Sequence, residues 1–464
     1  MVVIGAGFSG LVAACELQRA GVPVLVFEAR KVVAGLGATH RDPDGFSHDV
    51  GMHIITNRLA DALGLGATCR DVETFEESVL LGGRTLHYPF GLLIRPRYWG
   101  SAIASRARRT LQPRPQETVA DFFRQFMGER LASEVAIPLV EKMLGTPARE
   151  LSPAAAQRLP GVLRTIYLMA ARRLTGRLVA IGYCHELPES ARVWHVYPRD
   201  GIATLCSSLA ERLPDQVHLE TRVERLRIAS GEDPIVEVNG DHIRASAVVS
   251  SIALSQLARI TVGAPGLEAY RGFRYRSLVL VNLKLRGRSL LPTPALWTPE
   301  PDWPFFRLNE APAAMPWLAP ADHTMITADI GAWTGDPLWR CDDETLADQC
   351  LAHLARLVPD ARSRFRGARV VRARLGYPVP LTRYEGARRR LRAGLDLPGL
   401  FTIGRNGEFC HALMEDVYLR TRARIPEILR HVRPALPRGL ARSLPSAHVA
   451  RPWSTRGRAE GMRP

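Results

Sequence analysis

The chain has 464 residues, of which 46% are hydrophobic and 23% charged, with a formal net charge of +16 and a pI near 10.2. This composition excludes a disordered or fibrous chain, and the length predicts two or three folding units at about 150 residues each. Because the basic residues are almost all scattered arginines, we predict no nucleic-acid partner. The charge suits an anionic substrate, an anionic membrane surface or plain solvation, and no motif indicates peripheral membrane contact.

The first thirty residues have the pattern of a β-turn-α-β unit. Val2–Ile4 predicts a short buried strand, residues 11–20 a helix and residues 22–27 a second buried strand that closes on Glu28. Both strands are too apolar to face solvent, as is typical of a parallel sheet.

The rest of the chain alternates between helical and strand-like segments. We predict helices at 119–126, 131–144, 344–357 and 418–430, and strands at 217–226, 235–238, 247–251, 277–285 and 400–404. Residues 433–464 are rich in Pro and Arg and lack periodicity, so 431–464 are predicted to be a disordered basic tail.

The seven cysteines give no disulfide or zinc pattern. They are widely spaced, odd in number and without a C-x-x-C pair, which is typical of a reducing compartment and predicts no metal site. No apolar run reaches the roughly 18 residues that a membrane span needs. The apolar start lacks the basic residues of a secretory signal. We therefore expect a cytoplasmic protein.

The turn of the first unit carries a glycine motif for a dinucleotide. In Gly5-x-Gly7-x-x-Gly10, the first glycine allows the tight turn, the second a close approach of a pyrophosphate, and the third close packing of helix on strand. The helix N-terminus would face the phosphates, and Glu28 would accept from a ribose 2′-hydroxyl. Since no second such motif follows, one nucleotide is expected, and the motif alone leaves FAD and NAD open.

Further motifs in collinear order give the chain a family resemblance. They include Gly35–Thr39, Asp49–His53, Tyr88–Phe90, Glu141–Ser152, Tyr197–Gly201, Thr221–Leu226, Val248–Leu254, Tyr377-Pro378 and Leu400–Met414. With them, residues 1–430 resemble the flavoprotein superfamily of protoporphyrinogen oxidases, flavin amine oxidases, phytoene-type desaturases and UDP-galactopyranose mutases. The resemblance implies an α/β fold: a Rossmann-type FAD-binding domain, glutathione-reductase-like and of the amine oxidase type, with an inserted mixed helical/β substrate domain.

The same resemblance implies the domain limits and the cofactor contacts. The FAD-binding domain would comprise residues 1–87, 195–260 and 375–430, and the substrate-binding domain residues 88–194 and 261–374. The residues implied to bind FAD are Gly5, Gly7, Ser9, Gly10, Glu28, Gly51, Val223, Gly404, Arg405 and Met414. Met414 would begin a helix whose N-terminus faces the flavin pyrimidine ring, where it would stabilise negative charge on the reduced flavin.

The sequence departs from the family patterns at three places. The usual Gly-Gly pair after the acidic residue is Gly35-Leu36-Gly37. Lys284 is out of register with the strand lysine of amine oxidases, and Cys410 replaces the arginine with which mutases bind a substrate diphosphate. Tyr377 and Tyr384, in contrast, match a tyrosine pair of the mutases.

Three residues are candidates for catalysis: His53, Tyr377 and Tyr384. His53 would orient substrate or relay a proton, with a loop histidine bonded to backbone as the alternative. The two tyrosines would line a pocket over the flavin, or else pack in the core. Cys410 and His411 are adjacent and are not expected to converge on one atom, and the basic run 388–392 is either a solvated face or an attractor for an anionic substrate.

Together these features predict an FAD-dependent oxidoreductase that removes hydride from a C–N or C–C bond of a small-molecule substrate in a biosynthetic pathway. Hydride transfer to flavin needs a dry, well-aligned cavity and no recognisable acid–base dyad. Two alternatives stay open: a mutase-like isomerase that uses reduced FAD, and a non-catalytic flavoprotein partner.

Overall fold

The fold is known from a computed structural model. It describes residues 1–88, 90–93, 95–111, 115–156, 162–395 and 397–432. The predicted tail lies outside the described residues from position 433 onward, as does the proline of the Tyr88–Phe90 motif.

The described part of the chain contains short strands near its beginning and long ones near residue 280. In chain order they are β1 Val2–Ile4, β2 Leu25–Phe27, β3 Thr39–Arg41, β4 Ser47–Asp49, β5 Ile55–Thr56, β6 Cys69–Asp71, β7 Glu77–Leu81, β8 Arg84–His87, β9 His195–Pro198, β10 Val217–His218, β11 Val223–Arg227, β12 Ile235–Val238, β13 Asp241–Arg244, β14 Val248–Ser250, β15 Thr261–Val262, β16 Tyr275–Arg286, β17 Ala295–Trp297, β18 Arg307–Asn309, β19 His323–Ala332, β20 Phe365–Pro378 and β21 Leu400–Thr402.

The helices concentrate between residues 90 and 175 and at the C-terminal end of the described chain. They are α1 Phe8–Arg19, α2 Asn57–Ala62, α3 Phe90–Leu93, α4 Pro96–Leu111, α5 Val119–Met127, α6 Glu129–Leu131, α7 Ile137–Leu144, α8 Val162–Thr175, α9 Thr204–Ala210, α10 Leu254–Ile260, α11 Ala311–Ala314, α12 Pro337–Arg340, α13 Asp343–Leu354, α14 Ala361–Arg364, α15 Glu385–Ala393, α16 Gly404–Gly407 and α17 Met414–Val432. A π-helical turn, Ala132–Ala136, joins α6 to α7.

A five-stranded parallel sheet in the order β10-β2-β1-β14-β21 forms the centre of the nucleotide-binding half. Val2 lies opposite Leu25 on one side and Val248 on the other, and Val248 pairs in turn with Leu400. Every residue of β1 and β14 is buried, as expected of a parallel sheet covered on both faces. The sheet and the β1-α1-β2 unit confirm the predicted Rossmann-type α/β fold.

A second, seven-stranded sheet in the order β20-β16-β19-β18-β17-β7-β8 forms the other half. Its long strands β16, β19 and β20 pair antiparallel. β7 and β8 also belong to this sheet, because Glu77 pairs with Ala295 of β17. The predicted FAD-binding segment 1–87 thus includes two strands that belong to the seven-stranded sheet.

The helices differ from the predicted ones mainly at their ends. α1 begins at Phe8, directly after the glycine turn, and α17 begins at Met414. The predicted helix 131–144 is divided by the π-helical turn. α5 begins where predicted, since Thr118 and Asp121 form a capping box in which each side chain bonds the backbone N–H of the other residue.

Two buried histidines, His48 and His195, make stability depend on pH. Burial lowers the pKa of each to about 4, against about 6.5 for an unperturbed imidazole. The unfolded chain therefore binds more protons below pH 6.5, and stability present at pH 7 is lost as the pH falls toward 4. We expect the free energy of unfolding to fall between pH 7 and pH 5 by about 2 kcal/mol per histidine.

Urea denaturation at the two pH values measures this loss. His195→Leu removes one of these titrating imidazoles and should reduce the pH-dependent loss by about 2 kcal/mol. An equal stability at pH 7 and pH 5 in the wild-type chain would contradict the assignment of neutral imidazoles.

Candidate active site

One cavity of about 2790 Å³ joins the two halves of the molecule. Gly7 and Phe27 of the parallel sheet region line it, as do Leu278 and Val371 of the seven-stranded sheet. A pocket for one drug-sized ligand has a volume of about 300–1,000 Å³. The cavity therefore has room for a dinucleotide together with a substrate.

The glycine turn forms one end of this cavity, and its three glycines have different surroundings. Gly5 has a φ of +98°, which suits glycine in the tight turn. A Cβ on Gly10 would lie 2.0 Å from the Gly5 carbonyl oxygen, so Gly10 permits helix to pack on strand. A Cβ on Gly7 would meet no protein atom within 4 Å, and Gly7 lines the cavity. The space in front of Gly7 is thus kept open for a ligand.

The N-terminus of α1 faces the same space. Gly7 is its N-cap, Phe8 and Ser9 line the cavity, and the first turn contains no acidic residue. Free N–H groups and the helix dipole at such an end favour an anion. The arrangement fits a pyrophosphate, as the motif predicts.

Gly404 supports this end of the site indirectly. It has a φ of +76°, is not among the residues that line the cavity, and a Cβ there would lie 2.2 Å from Ser9 Oγ. Gly404 therefore lets α16 approach the glycine turn. Gly10 likewise contributes through packing. Neither Gly10 nor Gly404 lines the cavity, so neither is placed to contact the cofactor directly.

Glu28 and Val223 both line the cavity. The Glu28 carboxylate accepts from the backbone N–H groups of Ala6 and Arg30, each at 2.9 Å. A carboxylate fixed in this way keeps lone pairs for two ribose hydroxyls. The geometry fits the predicted adenosine site.

Arg405 places an unpaired cation in the cavity wall. Its Nε is buried without a hydrogen-bond partner, its Nη2 lies 3.5 Å from His411 Nε2, and the guanidinium carbon lies 5.4 Å from the centre of the Tyr377 ring. Burial and, secondly, the charge of Arg405 lower the pKa of His411 to about 3, which keeps this histidine neutral. No carboxylate of the described residues forms an ion pair with Arg405, so an anionic ligand would complete the site.

Met414 also lines the cavity, at the start of α17. The first turn of this helix contains two acidic residues, and both are held by protein partners: Glu415 by Arg58, and Asp416 by His185 at 2.8 Å. Since both carboxylates are engaged in this way, the helix end can still present its free N–H groups to a ligand.

Gly51 and His53 lie on one loop and both line the cavity. Gly51 has a φ of +93° and open space where a Cβ would stand. His53 Nδ1 is 3.7 Å from Asp49 Oδ2, beyond hydrogen-bond distance, while Asp49 accepts from the Tyr197 hydroxyl at 2.6 Å. His53 is therefore positioned beside a fixed carboxylate, and its role stays a prediction.

The two candidate tyrosines have different positions. Tyr377 lines the cavity, and its hydroxyl makes no hydrogen bond within the described part of the chain. Tyr384 is buried, stacks on Phe273 at 4.3 Å between ring centres, and donates to the Gly272 carbonyl at 2.6 Å. The prediction that Tyr384 lines the pocket is contradicted by this geometry, because its ring and hydroxyl are both used in the core.

The other sequence candidates do not reach the cavity, with one exception. His411 lines it, whereas Cys410, whose pKa burial raises to about 11, does not. None of the five residues 388–392 lines the cavity, and Arg388 pairs with Glu385. The run therefore does not contact a ligand in the cavity directly, and its attraction of an anionic substrate stays a prediction.

The sequence did not indicate Arg307 or the apolar end of the cavity. Arg307 lines the cavity, pairs with Asp329 at 2.5 Å and lies over the Trp297 ring at 4.9 Å. The apolar end is lined by Leu92, Trp99, Ile103, Phe123, Phe126, Met127, Leu131, Val135, Leu139, Val140, Met143 and Met169. Since these residues come from separate helices, no local motif could have grouped them.

The described residues contain no group of three His, Cys, Asp or Glu residues placed to hold a metal ion. Within the described ranges, no helix has both the length and the apolarity that crossing a bilayer requires.

The parallel sheet, the glycine turn and the large cavity shared by both sheets define a dinucleotide-binding protein. The chain belongs to the family described as flavin containing amine oxidoreductase, whose model matches residues 8–420. It is an FAD-dependent oxidoreductase.

Solved structures share the fold over almost the whole chain. A reduced UDP-galactopyranose mutase superposes with a TM-score of 0.75 at 18% identity, covering 95% of this chain and 96% of the other. A protein from Exiguobacterium that is assigned as a protoporphyrinogen oxidase gives a TM-score of 0.68 at 19% identity, covering 92% and 98%. Cyclohexylamine oxidase from Brevibacterium oxydans gives 0.66 at 17%, covering 93% and 99%.

Similarity to a curated sequence is local. The lycopene-forming phytoene desaturase of Pantoea ananas is 47% identical over 58 residues, which are 12% of this chain and 12% of that protein. The chain therefore matches about an eighth of the length of this relative. The match supports a shared segment and leaves the substrate to be inferred from the site itself.

Proposed function

We propose that this enzyme removes hydride from a C–N or C–C bond of a small, largely apolar molecule in a biosynthetic pathway. The single observation that carries the proposal is the continuity of the cavity. The glycine turn, Tyr377, His411 and a set of leucine, methionine, phenylalanine and tryptophan side chains all line this one cavity. A reacting bond can thus be held where cofactor and apolar pocket meet.

When bound, FAD supplies the hydride acceptor. The protein has two tasks in the reaction. The apolar end excludes water from the substrate and holds the reacting carbon at a fixed distance, which replaces an acid–base dyad. The Tyr377 hydroxyl, free of protein partners among the described residues, orients a polar group of the substrate, and Arg405 holds an anionic part of the cofactor.

The proposal is tested by anaerobic mixing of the holoenzyme with amines, apolar polyenes and nucleotide sugars. Loss of the visible absorbance of oxidised flavin with an amine or a polyene supports hydride removal. Turnover of a nucleotide sugar after chemical reduction, without net oxidation, would contradict it in favour of an isomerase.

Tyr377→Phe and Tyr384→Phe form a matched pair in this assay. Tyr377→Phe should slow flavin reduction roughly fivefold, equivalent to about 1 kcal/mol for a lost hydrogen bond, and leave stability unchanged. Tyr384→Phe should leave the rate unchanged and lower the free energy of unfolding by about 1 kcal/mol, because the Gly272 carbonyl loses its donor. If Tyr384→Phe slowed flavin reduction and Tyr377→Phe only lowered stability, Tyr377 would not belong to the active site.

A further inference from the structure

Three helices at the apolar end of the cavity present large apolar side chains to solvent. Eight of the twelve large hydrophobic residues that are exposed in the described part of the chain lie on α4, α5 and α8. They are Trp99, Ile103, Leu111, Phe126, Ile166, Tyr167, Met169 and Leu174. Large apolar side chains that are exposed around one cavity mark an interaction site.

This apolar surface, here called the rim face, is continuous with the inside of the cavity. Trp99, Ile103, Phe126 and Met169 line the cavity and are also exposed. The other four residues do not line it, and Leu174 is 88% exposed. The apolar lining therefore extends out of the mouth and over the surrounding surface.

The charge of the rim face is mainly positive. α4 contributes Arg97 and Arg106, and α8 contributes Arg164, Arg172 and Arg173, while neither helix contains an Asp or Glu. Arg97 is paired with Glu134, and α5 adds Asp121. Arg106, Arg172 and Arg173 line the cavity mouth itself. A cationic border around apolar side chains is complementary to an anionic, apolar partner.

An anionic lipid bilayer has this chemistry. Interfacial helices insert large apolar and aromatic side chains below the headgroups, and their arginines contact acidic lipids at about 1 kcal/mol each. Trp99 and Tyr167 are of the type that prefers the headgroup level. A second copy of the chain would bring arginines against arginines on this face and is therefore disfavoured.

We propose that the rim face docks on an anionic membrane and sets the mouth of the cavity against the lipid. An apolar substrate then passes between bilayer and cavity without crossing water. This route rests on the proposed function, whereas the docking does not.

The test is flotation of the full-length holoenzyme with vesicles of phosphatidylcholine alone or mixed with phosphatidylglycerol, at low and high salt. We expect binding to the mixed vesicles at low salt, and weaker binding at high salt or without phosphatidylglycerol. The double variant Ile166→Glu/Leu174→Glu lies outside the cavity and should bind at least about tenfold more weakly. Leu219→Glu, at an exposed leucine distant from these helices in sequence, is the matched control and should bind like the wild type.

Three results would overturn the proposal. They are no binding of the wild-type protein to mixed vesicles at low salt, equal binding by the double variant, and equal binding to both vesicle types. A dimer that dissociates in the double variant while vesicles stay unbound would assign the face to a second copy instead. Flavin absorbance checks that each variant is folded, and a failed flavin-reduction assay would leave the vesicle result unaffected.

Discussion

Gly7→Ala is expected to fold like the wild-type chain and to bind FAD on the order of 100-fold more weakly. The backbone at Gly7, with φ −74° and ψ 176°, is open to alanine, and the new methyl group would touch no protein atom within 4 Å. The methyl group would instead occupy space at the N-terminus of α1, where a pyrophosphate must approach the backbone. Flavin titration of the apoprotein measures the loss, and thermal unfolding of the same apoprotein checks the fold.

Gly10→Ala is the control, because it should lower the stability of the fold and not obstruct the approach of the pyrophosphate. Its methyl group would lie 2.0 Å from the Gly5 carbonyl oxygen, a backbone atom that cannot move without displacing β1. We expect a loss of about 3 kcal/mol or more in the free energy of unfolding, at the upper end of overpacking effects. Tight flavin binding by Gly7→Ala would show that the phosphates lie elsewhere.

Arg405→Met is expected to weaken FAD binding on the order of 100-fold while it raises the stability of the apoprotein by about 1 kcal/mol. Arg405 has no acidic partner among the described residues, and burial lowers the pKa of its guanidinium. Methionine removes a charge that the protein alone does not compensate. The cofactor loses the cation that would face its anionic part.

Arg307→Met gives the contrast, since Arg307 pairs with the buried Asp329. Removing this arginine leaves a buried carboxylate unpaired, and we expect a loss of about 3 kcal/mol in stability. Apoprotein melting and flavin titration of both variants separate the two arginines. A destabilised Arg405→Met apoprotein with unchanged FAD affinity would show that Arg405 is structural.

The sequence predicted the nucleotide-binding half well because its signals are local. Strand β1, the glycine turn and Glu28 lie within 28 residues, and each glycine has a steric reason that the structure confirms at Gly5 and Gly10. The start of α17 at Met414 followed from the resemblance. These features need no knowledge of distant contacts.

The substrate half depends on contacts that no local pattern contains. β7 joins the seven-stranded sheet through β17, which lies more than two hundred residues later. Tyr384 and Tyr377 are seven residues apart, yet a turn of 3₁₀ helix at Thr382–Tyr384 directs one into the core while the other faces the cavity. The rim face is likewise assembled from three helices whose individual sequences look unremarkable for surface helices.

The order of the parallel sheet has a consequence for synthesis of the protein. Val2 of β1 pairs with Val248 of β14, so β1 leaves the ribosome long before its central neighbour exists. At about 5–20 residues per second, this interval is on the order of ten seconds or more. During that time β14 is missing beside β1 and the glycine turn. α16, which contains Arg405, is synthesised later still. We therefore expect the flavin to join a nearly finished chain, after β14 has paired with the second edge of β1.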